Sequence, residues 1–114
     1  MRIRNSTRST QLASDARPAR GFWSRLVGLL GRASLQPGEA LVLDPCNSVH
    51  TVFMRFPIDV VYVDRSRQVL KVVPDLKPFR VSGVLRGVCA VIELPSGTIA
   101  NTGTAPGDQL VFEP

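Results

Sequence analysis

Ile58-Asp59-Val60-Val61-Tyr62-Val63-Asp64-Arg65-Ser66-Arg67-Gln68-Val69-Leu70-Lys71-Val72-Val73 sets two runs rich in β-branched residues around a polar tetrapeptide. Valine, isoleucine and tyrosine fit a pleated, packed surface, so the two runs read as strands over 58–63 and 68–73. Asp64-Arg65-Ser66-Arg67 reads as the hairpin connection between them. The same vocabulary continues outward from Glu39, in short runs of Val, Ile and Leu separated by Pro, Gly, Asp and Ser. It predicts further strands over 40–43, 48–53, 79–82, 88–94 and 109–112.

The chain before Glu39 has a different character. Residues 1–5 and 10–13 flank the polar stretch Ser6-Thr7-Arg8-Ser9, and 1–19 read as a weak N-terminal hairpin in preference to a frayed arm. Over 20–31 the period is helical: at about 100° per residue, Phe22, Trp23, Leu26, Val27, Leu29 and Leu30 share one arc opposite Ser24, Arg25 and Gly28. That is one amphipathic helix, at about residues 21–31, packed on a sheet. Ser96-Gly97-Thr98-Ile99-Ala100-Asn101 reads as a single helical turn with Ser96 as its cap. Pro106-Gly107-Asp108 reads as a tight turn into the last strand. The expected fold class is β-rich α+β, in a single compact domain over 1–114. An antiparallel sheet, curled into a small barrel that protects its edges, carries the one helix.

The 114 residues, 44% of them hydrophobic and 20% charged, suffice for a core without staples and argue against disorder or repeats. The formal charge of +5 is uneven. Residues 1–32 carry seven arginines against Asp15 alone, whereas the remainder is nearly neutral. A basic front end suits nucleic acid or an acidic partner, but no aromatic residue interleaves with Arg2, Arg4 and Arg8 to stack on bases, which disfavours nucleic acid. Residues 1–20 hold no apolar stretch of the kind a secretory signal needs, and no run reaches the ~20 apolar residues of a membrane span. A soluble, cytoplasmic protein is expected. Cys46 and Cys89 belong to no Cys-x-x-Cys pair and read as free buried thiols, a disulfide between them remaining open.

Most of the candidate polar chemistry lies in Cys46-Asn47-Ser48-Val49-His50-Thr51-Val52-Phe53-Met54-Arg55-Phe56-Pro57-Ile58-Asp59. An aromatic-Met-basic triplet, Phe53-Met54-Arg55, is followed by Phe56-Pro57-Ile58-Asp59 and the strand Val60-Val61-Tyr62-Val63. In this pattern the sequence resembles the domain of unknown function 192 family. The likeness extends to Arg25, Gly28, Leu29, Arg32 and Leu35, to Glu39-Ala40-Leu41, to Val91-Ile92-Glu93-Leu94 with Gly97, and to Gly107-Asp108, over about residues 20–112. It departs from the family pattern at Phe53, where Trp is expected, and at Arg55-Phe56, where Lys-Asn is common. The resemblance implies a small β-rich fold and no established activity.

Taken singly, His50 and Cys46 have the spacing of two metal ligands, but positions four apart on a strand lie ~13 Å apart and no second His or Cys is near. No metal and no cofactor are therefore expected. Asp59, just after Pro57, suits a carboxylate that accepts backbone N–H bonds at a turn. Glu93 lies among apolar neighbours. Strand alternation turns it either to solvent or inward, where it needs a partner such as Arg55 or His50. No Gly-x-Ser-x-Gly elbow and no phosphate-cradling loop occur. The function this supports is a non-catalytic module binding a peptide, protein or small ligand through His50, Met54, Arg55, Asp59 and Glu93. The competing classes are a small hydrolase or metal-dependent enzyme using His50, Asp59 and Glu93, and a nucleic-acid binder using the basic N-terminal region.

Overall fold

The structure, a computed structural model, describes residues 1–18, 35–44, 56–77 and 86–114. It is strand-rich: β1 (Arg2–Asn5), β2 (Thr10–Ala13), β3 (Asp15–Pro18), β4 (Glu39–Leu43), β5 (Ile58–Val63), β6 (Val69–Leu76), β7 (Ala90–Pro95), the short helix α1 (Thr98–Thr102) and β8 (Leu110–Glu113). These strands form a three-stranded sheet in the order β2-β1-β8 and a five-stranded sheet in the order β3-β4-β7-β5-β6.

The β5–β6 hairpin closes through its own polar link. Asp64 Oδ1 accepts bonds from the Ser66 and Gln68 amides at 2.8 and 2.9 Å, and the Arg67 amide donates to the Asp64 carbonyl at 3.0 Å. Arg67 takes a left-handed backbone (φ 68) to complete the reversal. β7 then pairs antiparallel along the whole of β5, from Ile58 opposite Pro95 to Val63 opposite Ala90. With neighbours on both sides, β5 is buried at every position, which is why it reads as a continuous apolar run with one acid in it.

The two sheets meet at two seams. At one, Gln68 bridges Gln109, the Val69 amide donates to the Asp108 carbonyl at 2.8 Å, and the Leu110 amide donates to the Arg67 carbonyl at 3.0 Å. At the other, the Ala16 amide donates to the Met1 carbonyl at 2.8 Å. Between the sheets lies an inner core of Ile3 and Leu12 from one sheet, Val42, Val61, Val63, Ile92 and Leu94 from the other, with Ile99 and Leu110. A second cluster, Leu35, Leu43, Phe56, Ile58, Val60, Tyr62 and Val91, covers the outer face of the five-stranded sheet.

The β-rich fold expected from the sequence is present, with three differences among the described residues. The strands sort into two sheets and do not close into one barrel. One pairing, β3 with β4, is parallel, and β3 itself has no strand vocabulary in Asp15-Ala16-Arg17-Pro18. It is held instead from Gly38, whose carbonyl accepts the Ser14 and Asp15 amides at 3.0 and 2.9 Å. A Cβ on Gly38 would stand 2.7 Å from Ser14 Oγ, so the approach needs glycine. Finally, Ser96 does not cap the helical turn: Gly97 (φ 100) is the N-cap of α1, and Ser96 Oγ donates to Asp75 Oδ1 at 2.7 Å. The amphipathic helix at about 21–31 and the strands at 48–53 and 79–82 lie outside the described residues. No described helix is long and apolar enough to cross a membrane.

Candidate functional site

Strand alternation divides the two candidate carboxylates. On β5, Val61 and Val63 join the inner core while Ile58, Val60 and Tyr62 join the outer cluster, so Asp59 faces inward. On β7, Ala90, Ile92 and Leu94 are inner and Val91 is outer, so Glu93 faces outward. Asp59 stands opposite Leu94, and Glu93 stands opposite Val60, one position along. The five-stranded sheet therefore lies between the carboxylates and they share no face.

Asp59 is fully buried and its two oxygens are taken by backbone donors. Oδ1 accepts the Asp75 amide at 2.8 Å, and Oδ2 accepts the Ile99 amide at 2.8 Å and the Gly97 amide at 3.2 Å. The carboxylate thus supplies the acceptor that α1 lacks, since no side chain of its own turn caps it. Its donors come from β6 and from α1, not from the Pro57 turn beside it. What the arrangement does chemically is fix α1 across the end of the inner core.

Glu93 is 4% exposed. Its cross-strand neighbours are Val60 on one side and Leu41 on the other, and Val91 lies two positions along β7 on the same face. Tyr62 and Lys71, directly paired, lie on that face too, with Lys71 Nζ 5.8 Å from the centre of the Tyr62 ring. The outer face is therefore an aliphatic floor with a carboxylate at its centre and a phenol and an ammonium toward β6. His50, Met54 and Arg55 lie outside the described residues, as does Cys46. Cys89 is a half-buried free thiol whose amide donates to the Val63 carbonyl at 2.9 Å.

A second polar cluster, which the sequence reading did not single out, joins β1 to the loop before β8. Asn5, fully buried, donates from Nδ2 to Asp108 Oδ2 at 2.9 Å and to Thr104 Oγ1 at 3.2 Å, and accepts the Arg8 amide at Oδ1. Asp108 also accepts from Arg8 Nε at 3.1 Å and from the Ala105 amide at 3.0 Å. Burial pushes the Asp108 carboxyl up, but the bonds from Asn5, Arg8 and Ala105 outweigh it and hold the carboxyl below its ordinary value. These bonds join β1 to the loop before β8 as a clasp, and Thr104 Oγ1, 2.7 Å from Thr102 Oγ1, ties it to α1. The Pro106-Gly107-Asp108 turn was its only sequence signal.

The basic front end is largely neutralised where it is described. Arg4 pairs with Glu113, Arg8 with Asp108 and Arg17 with Asp15, at 3.1, 3.1 and 3.2 Å. Among the described residues no group of three or more His, Cys, Asp or Glu side chains is placed to hold a metal ion.

Comparison with known proteins agrees with this fold. A UPF0127 protein of Pyrococcus furiosus is 30% identical over 112 residues, with 93% of each chain covered. A solved protein of unknown function from Novosphingobium aromaticivorans superposes with a TM-score of 0.79 at 19% identity, covering 97% of this chain and 82% of that one. A second, from Sinorhizobium meliloti and provisionally described as a transcription regulator, gives 0.77 at 20% identity, covering 96% and 89%. At such identities the two solved structures show the fold alone. The DUF192 family model, described as an uncharacterized ACR, matches residues 3–112. That match takes in the N-terminal strands as well as the motifs over about residues 20–112, and the chain belongs to this family of uncharacterised function.

Proposed function

We propose that this protein is a non-catalytic binding module for a peptide, protein or small ligand. Its recognition residues are His50, Met54, Arg55 and Glu93, and Asp59 positions the strand that follows them. The observation that carries the reading is the Glu93 carboxylate at the centre of an aliphatic sheet face, opposite Val60. Taking a carboxylate out of water costs several kcal/mol, and even a well-paired buried charge is often no more stabilising than an apolar side chain of its size, so its presence marks recognition better than it marks stability. The hydrolase reading needs Asp59 and Glu93 to act on one substrate, and the sheet between them opposes that. The description attached to the Sinorhizobium meliloti protein suggests nucleic acid as a partner, but the pairing of Arg4, Arg8 and Arg17 with carboxylates disfavours that use of the front end here.

The test is a thermal-shift screen of the full chain against defined dipeptides, amines and carboxylates, since a ligand that binds only the folded state raises the midpoint with its concentration. At least one probe class should raise the midpoint, and Met54→Ala and Arg55→Ala should each abolish the rise while Arg17→Ala preserves it. A screen without any rise, or an ester- or peptide-hydrolysing activity abolished by His50→Ala, would overturn the proposal.

A further inference from the structure

We draw no further inference here: the strongest candidate, the outer face of the five-stranded sheet around Glu93, Tyr62 and Lys71, belongs to the site already described.

Discussion

The two faces of the five-stranded sheet each bury a carboxylate, and they do so in opposite ways. On the inner face Asp59 meets three backbone amides from β6 and α1, a set of charge-assisted bonds that leaves it little capacity for anything else. On the outer face Glu93 is set among the side chains of Leu41, Val60 and Val91, with Tyr62 and Lys71 on the same face. Burial alone therefore does not say what a carboxylate does. What distinguishes the two is their company: backbone amides for Asp59, and for Glu93 a face of aliphatic side chains that also carries Tyr62 and Lys71.

The largest expected effect is on the inner face. Asp59→Ala leaves three amide donors without their acceptor and should cost about 3–5 kcal/mol in urea unfolding. A cost below about 1 kcal/mol would show that α1 finds other partners and that the inner carboxylate is dispensable. The faces themselves can be compared with one substitution made twice. Ile92 and Ile58 are both fully buried, one in each cluster, so Ile92→Ala and Ile58→Ala should each cost about 2–5 kcal/mol. A much smaller cost for Ile58→Ala would make the outer face peripheral to the fold.

Much of this division was legible in the sequence, and the part that was not has physical reasons. β5, its hairpin and β7 announce themselves because strands buried on both faces become near-continuous aliphatic runs. The same burial hid the direction of Glu93: alternation offered solvent or core, whereas the outer face is a second core, formed with Leu35 and Phe56 from elsewhere in the chain. β3 escaped because its pairing with β4 comes from the Gly38 approach, a contact across the sequence that Asp15-Ala16-Arg17-Pro18 does not encode locally. Asn5 carries no local sign of burial in Arg4-Asn5-Ser6-Thr7, because its partner Asp108 lies 103 positions along the chain.

The Asn5–Asp108 clasp refines the comparison, being a buried acid explained partly by charge. Its carboxyl is held below the ordinary value of 3.8, so its contribution to stability is fully present above that pH and is lost as the pH falls through the lowered folded value. Unfolding measured from pH 6 down to pH 2 should show this loss. Asp108→Asn should flatten that part of the profile, and an unchanged profile would remove the carboxylate from the clasp. The smallest effect is expected at the surface: Arg4→Ala breaks a pair with Glu113 whose arginine is half exposed, and should cost less than about 1 kcal/mol.

The most direct test of the contrast is to remove the charge from each carboxylate separately, as Asp59→Asn and Glu93→Gln, and to read both the unfolding free energy and the ligand-induced rise of the thermal midpoint with the same dipeptide, amine and carboxylate probes. Asp59→Asn should lower stability by about 2 kcal/mol or more, and Glu93→Gln should leave stability within about 1 kcal/mol of the parent while abolishing the probe response. A Glu93→Gln protein that responds to the probes as the parent does would contradict the assignment of recognition to the outer face.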